Sequence, residues 1–495
     1  FTGTGLSGSN TVNGMSNGQG FYDLDIVVSP NNINHVIVGT TTAFKSIDGG
    51  LNFNPIGGYA GNFAIHPDIQ CMTALGNDTY IATDGGVNYS PDFFTNVSTF
   101  EPRNLGLTAS DNWGFGQGWS EDIVVGGRYH NGNAALYETY GLGNSLQIGG
   151  GEDATGHVFE IPGEKGITGF RDLGSSLKKL PTSINERSTN TKYINTKWPS
   201  DDFYGQFSSK LMQDPNYANI IFVGNGKSLW KSENYGLSYS ELKNFGVNVW
   251  RFDIARSNPN FIYLCTQTGI YKSIDRGNNW SQLNLPSGVT YQYYNSDITV
   301  NPENENEVWV CMAQGAANSK VFKSINGGTT WINYTETLIN NKPISFIISQ
   351  GGTNSGVYAI SNSNSTRVYY RDASMNEWID FSGDLPNNFI ARSGGIIFYR
   401  DNKLRLTGNR GTWESPLYSR STPLVMVLSD KKIISSRVNR LVDENKSIVG
   451  TSLEKISALP LSVKNEINTI LTEIFKSPKA LVKMVDFIGY FKNGD

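Results

Sequence analysis

The sequence predicts an all-β fold: a β-propeller of about eight four-stranded blades (alternatively seven), followed by a small, mainly helical C-terminal module. Three observations predict it. Four segments repeat the pattern aromatic-Lys-Ser-x-Asp/Asn-x-Gly-x-x-aromatic: FKSIDGGLNF (44–53), WKSENYGLSY (230–239), YKSIDRGNNW (271–280) and FKSINGGTTW (322–331), the second with Tyr between its Asn and Gly. Their serines, at 46, 232, 273 and 324, stand 186, 41 and 51 residues apart, and the long gap is about four times 46. Repeats also open on a Pro/Asn turn followed by an alternating strand, as in SPNNINHVIVGT (29–40), DPNYANIIFVGN (214–225), SNPNFIYLCTQ (257–267) and NPENENEVWVCM (301–312). Four short strands in each 40–50-residue repeat make a propeller blade, whereas a helical solenoid needs a 3.6-residue period that 1–420 lacks.

Composition agrees. Gly at 54 of 495 residues and 12% aromatics with 17% charge suit short strands joined by tight turns. A net charge of −4 excludes a polybasic nucleic-acid surface, and no run of 18 apolar residues is present to form a transmembrane helix. The chain opens at Phe1 with no signal peptide and is read as a processed product or a fragment. Cys71, Cys265 and Cys311 are an odd number without a CxxC pair, so all three are expected to be buried structural thiols. With four histidines (His35, His66, His130, His157), no metal site is expected. Ca²⁺ at acidic turns such as Asp201-Asp202 is the one cofactor option, without EF-hand spacing to support it.

Taken in order, residues 1–20 read as an N-terminal linker, 21–423 as the propeller and 424–495 as the C-terminal module. Degenerate copies fall where the period places them: YSPDFF (89–94) keeps Ser90 and Asp92, and YYRDASMNEW (369–378) keeps its aromatics. The slots near 136 and 185 carry no recognisable copy. Within the repeat, Ser46, Ser232, Ser273 and Ser324 with Asp48, Asn234, Asp275 and Asn326 can accept backbone N–H bonds and close a hairpin turn. Gly supplies positive φ and the last aromatic folds into the blade. These side chains are therefore read as structural, not catalytic.

The pattern resembles the Asp-box, or BNR, repeat of sialidases, sortilin-like receptors and family 74 xyloglucan hydrolases. GGRYHNGN (126–133) and the ending GTWESPL (411–417) are similar to segments of large secreted propellers of bacteria that use type IX secretion. The resemblance covers roughly 20–423 and implies a secreted or outer-cell-surface protein, an adhesin or gliding-motility component included. No PKD-like sequence follows residue 432, where such proteins commonly continue.

Residues 108–200 depart most from the repeat, and departures mark function. Gly-rich turns there gather Trp113, Trp119, Arg128, Tyr129, His130, Asn131, Glu152 and Asp153, with Asn133 and His157 nearby. Aromatic faces with amide and carboxylate hydrogen bonds suit a glycan or protein ligand on one propeller face. Irregular turns between degenerate blades are the plainer account of the same stretch.

For the enzyme readings, a sialidase lacks its Arg cluster and Phe-Arg-Ile-Pro start. A family-74-like hydrolase needs two facing carboxylates. Thr83-Asp84-Gly85-Gly86 resembles the setting of the first, with Asp84 as candidate. The second stays open among Asp122, Glu152, Asp153 and Asp384. The same string also occurs as an ordinary strand-turn, and no Ser nucleophile elbow or phosphate loop is present.

Residues 421–495 shift to Lys+Arg 11 against Asp+Glu 8 and contain no Trp. SVKNEINTILTEIFK (462–476) places Val463, Ile467, Ile470, Leu471 and Ile474 on one helical face, and Ser477-Pro478 opens a second helix. These helices either pack as a hairpin, contact a secretion or surface-assembly partner, or lie on a membrane surface.

Overall fold

The computed structural model describes most of residues 19–418 and the short hairpin Thr11–Val12/Met15–Ser16. Its longer internal gaps are 148–155, 186–190, 194–210 and 290–295. The C-terminal helices expected at 462–476 and beyond lie outside the described residues.

The described chain is built of antiparallel meanders. Eight are four-stranded and a ninth is three-stranded. Two compact units share them, residues 1–108 and 109–495, and the propeller segment read from sequence (21–423) spans both. In the first unit, sheet 1 comprises Asp25–Ser29, Asn32–Gly39, Thr42–Ser46 and Asn54–Gly58. Sheet 2 comprises Ile69–Leu75, Asp78–Thr83, Gly86–Ser90 and Glu101–Pro102.

In the second unit, the first strands of sheets 3 to 9 are Asn112–Gln117, Gly156–Ile161, Leu211–Gln213, Val249–Ile254, Ser296–Asn301, Ile344–Gly351 and Ile396–Phe398. Residues at or beside all seven first strands line one central pocket, so these sheets form a ring, a β-propeller. The last sheet meets the first through charge. Arg405 in Lys403–Gly408 reaches Asp122 at 2.6 and 2.8 Å, and Arg400 reaches Glu138 at 2.7 Å. The Gly411 amide donates to the Ser110 carbonyl at 2.8 Å.

The repeated turns use short-range bonds. Ser273 Oγ donates to Asp275 Oδ1 at 2.8 Å and accepts from the Gly277 amide at 2.8 Å, while Asp275 accepts from the Asn279 amide at 2.8 Å. Ser46 with Asp48, Ser232 with Asn234, and Ser324 with Asn326 make the same serine-to-side-chain bond, as do Ser90 and Asp92 of the degenerate copy. Asp48 is held at a carboxyl pKa of about 2, first by the Asn52 amide. The left-handed positions fall to Gly49 and Gly50 in the first copy, but to Phe93 and Phe94 in sheet 2 and to Arg276 in sheet 6. Burial of both Phe rings offsets that strain, and Arg276 repays it by pairing with buried Asp214 and covering Tyr217.

Between sheets, a second device recurs. Asp253 accepts from the Val300 amide at 2.9 Å and from Thr299 Oγ1 at 3.0 Å, and Asp297 accepts from the Ile347 amide at 3.0 Å. Asp25 accepts from the Met72 amide of sheet 2 at 2.5 Å. Each carboxylate stands on a first strand and fastens the first strand of the next sheet.

Cys265 and Cys311 are buried, as expected, but Cys71 is exposed and corrects that reading. Its strand alternates, and the face carrying Cys71, Thr73 and Leu75 is uncovered.

Candidate functional site

Two groups of side chains can do chemistry, one in each unit. In the ring, the pocket has a volume of about 550 Å³, within the range of small-ligand sites. Its wall combines Trp113, Gln117, Arg251, Arg256, Ser349 and Tyr399 with aliphatic groups. The pocket forms because seven first strands converge on one axis. Trp113 follows a register shift in its ladder, half-buried, with the Arg392 guanidinium 4.9 Å above its ring. Arg392 is itself oriented by Asp111 at 2.9 and 3.1 Å. Arg256 stacks 4.8 Å over Tyr399; burial lowers its guanidinium pKa and raises the Tyr399 phenol. Asp253 and Asp297 also line the pocket, yet their oxygens carry the inter-sheet bonds described above. Cations, an indole and amides therefore face a volume whose two acids are engaged.

Among the residues singled out in sequence, Trp113, Arg128 and Asn131 come to the same end of sheet 3, where Arg128 pairs with Asn112 and Gly132. Only Trp113 of the three lines the pocket. Arg128 folds back on its own hairpin, donating to the Asn131 carbonyl at 3.1 Å and the Gly132 carbonyl at 3.4 Å. Trp119, Tyr129, His130, Glu152 and Asp153 lie outside the described residues, and the side chain of His157 is likewise not described. Asp122, considered as a second acid, is occupied by Arg405, and Asp384 is exposed on a turn.

The first unit holds the other group. Asp84 is half-buried in the turn after Asp78–Thr83 and accepts from Gln70 Nε2 at 3.1 Å. The same nitrogen donates to Asp23 at 3.0 Å. Asp23 is fully buried, and its carboxyl is pushed up to about 7, first by burial and then by the charges of Asp68 and Asp84. Among the described residues no group of acids, histidines and cysteines has the geometry to hold a metal ion.

The sequence reading missed Asp23, Asp68 and Gln70 around Asp84, and Arg251, Arg256, Arg392 and Tyr399 around the axis. A signal existed for the strands that carry the axial set. Asp25-Ile26, Asp253-Ile254 and Asp297-Ile298 each precede a Pro/Asn turn by a few residues.

No protein-family model matches the chain, and no curated protein matches it. Solved structures do. An ancestral GH74 enzyme is 17% identical over 53% of this chain and 35% of its own, with a TM-score of 0.36. The chain thus spans about a third of that enzyme's length. A GH74 enzyme from Niastella koreensis is 11% identical over 79% of this chain and 74% of its own, TM-score 0.36. Sqt1 from Saccharomyces cerevisiae is 11% identical over 62% of this chain and 96% of its own, TM-score 0.42. The sheets and their ring define the class: a β-propeller protein.

Proposed function

We propose that this chain is a non-catalytic recognition protein whose propeller binds a glycan at the axial pocket. The supporting observation is the indole of Trp113, held under Arg392 at the wall of a 550 Å³ volume edged with amides and guanidinium groups. A sugar ring stacks on an indole face while its hydroxyls take directional hydrogen bonds, which is the chemistry such a wall offers. In this reading the repeats are Asp-box repeats, the protein is secreted or held on the outer cell surface as type IX cargo, and the C-terminal helices meet a secretion or surface-assembly partner. Support for these finer points is the resemblance of GGRYHNGN and GTWESPL to such proteins.

The test pairs a glycan array and polysaccharide pull-down with a reducing-sugar release assay. Binding without release, lost in Trp113→Ala, is the expected result. Protein capture with no glycan signal would replace the ligand class. A second reading, a family-74-like hydrolase, is favoured by one observation: Asp23 holds a proton to about 7 beside Asp84, an arrangement of acid and carboxylate suited to glycosidic chemistry. Sugar release abolished by both Asp84→Asn and Asp23→Asn would establish it over the recognition reading.

A further inference from the structure

Followed through their ladders to the turn serines Ser46, Ser273 and Ser324, the first strands make Val28, Ile254 and Val300 equivalent, and likewise Ile26 and Ile298. In the ring these positions are sealed: Ile254 and Ile298 are each 1% exposed and Val300 is 4% exposed. In sheet 1 the same face is open, with Leu24 at 46%, Ile26 at 48% and Val28 at 46%. Three aliphatic side chains in a row on a strand face are the mark of an interaction surface.

The ring also shows what covers such a face. Ile298 and Val300 share one buried cluster with Ala255, Tyr263, Cys265 and Ile270 of the preceding sheet. Tyr263 Oη then donates to the Glu305 carbonyl at 2.8 Å, at the start of the strand that follows the covered one. Transferred through the strand registers to sheet 2, the four covering positions are Leu75, Tyr80, Ala82 and Val87. Tyr80, Ala82 and Val87 repeat the tyrosine, small, β-branched series of Tyr263, Cys265 and Ile270. All four are exposed or half-buried. The first unit therefore carries an open seat on one sheet and the matching open cover on the other.

We infer that the unit of residues 1–108 stacks head to tail on a second copy of this chain, sheet 2 of one copy covering Leu24, Ile26 and Val28 of the next. The contact is heterologous, since seat and cover are different surfaces, so association continues beyond a dimer or closes into a ring. By the same equivalence Tyr80 Oη meets the carbonyl of Ile33, the counterpart of Glu305. Ala82 of one copy, the counterpart of Cys265, lies in the cluster with Ile26 of the other.

The experiment uses the full chain. Light scattering on a concentration series should show wild-type oligomers. Ile26→Glu should weaken self-association at least about tenfold, because a charge would be buried in the seat, with its circular dichroism unchanged. Ile26→Cys with Ala82→Cys, in a Cys71→Ser background, supplies the second arm: mild oxidation should join the two and produce a ladder longer than dimer on a non-reducing gel. The Cys71→Ser background alone presents no exposed thiol, since Cys265 and Cys311 are buried. A wild type that stays monomeric at the highest soluble concentration overturns the inference. So does an oligomer that Ile26→Glu leaves intact while the Ile26→Cys, Ala82→Cys pair gives no ladder.

Discussion

Replacing Arg405 with methionine tests whether the seven-sheet ring is closed by charge. The Arg405 side chain is 5% exposed; it meets Asp122 at 2.6 and 2.8 Å and Glu414 at 2.9 and 3.1 Å. Methionine keeps much of the aliphatic volume over Phe398 but leaves both carboxylates without this partner. Removing one member of a buried pair costs about 3–5 kcal/mol. Asp122 and Glu414 retain some water, at 20% and 49% exposure, so the low end applies, about 3 kcal/mol. Urea unfolding followed by tryptophan fluorescence reads this as a midpoint lower by roughly 1 M. The pH dependence discriminates further. Burial alone would raise both carboxyls, but the Arg405 bonds outweigh it and hold them below their ordinary values. A depressed carboxyl stabilises the fold above its unfolded pKa and loses that contribution as pH falls through the folded value. The gap between wild type and Arg405→Met should therefore narrow below about pH 4. A stability change under about 0.5 kcal/mol, or a gap that does not shrink in acid, would refute closure by these pairs.

Three further outcomes follow from the same geometry. Ser273→Ala should cost about 1–3 kcal/mol by stranding the Gly277 amide, read by thermal unfolding, whereas a neutral result removes the turn's stabilising role. Asp253→Ala should cost a similar amount, about 2–3 kcal/mol, and expose the Val300 amide to hydrogen exchange; unchanged protection there counts against the inter-sheet bond. Asp23→Asn removes a carboxyl whose folded pKa is raised to about 7, so wild-type stability falls as pH rises from about 4 to 7. The variant should accordingly gain on wild type across that window and keep its advantage above it, and a constant difference from acid to alkali would sink the assignment.

How far the sequence could be read depended on the reach of the interactions. The turn of Ser273, Asp275 and Gly277 was legible because every bond in it spans four residues or fewer, and a local pattern survives each repeat. The repeated four-stranded sheet followed from that period. Asp253 and Asp297 looked unremarkable because their partners lie 47 and 50 residues away, on a neighbouring sheet. Arg405 and Asp122 are 283 residues apart, and no spacing rule connects them. Asp84 was legible as an acid in a turn, but the burial of Asp23 beside it, which moves a proton, was not. Cys71 was misread because alternation marks a strand without saying whether another sheet covers its second face.

By itself, then, the sequence determined the repeating unit: short strands, Ser-Asp turns and glycines or their replacements at left-handed positions, all set by bonds between near neighbours. Tertiary structure alone decided which sheets join a ring, which carboxylates are engaged, and which aliphatic faces stay open. Those outcomes depend on burial and charge contributed by strands distant in the chain, and neither quantity exists until the sheets have packed.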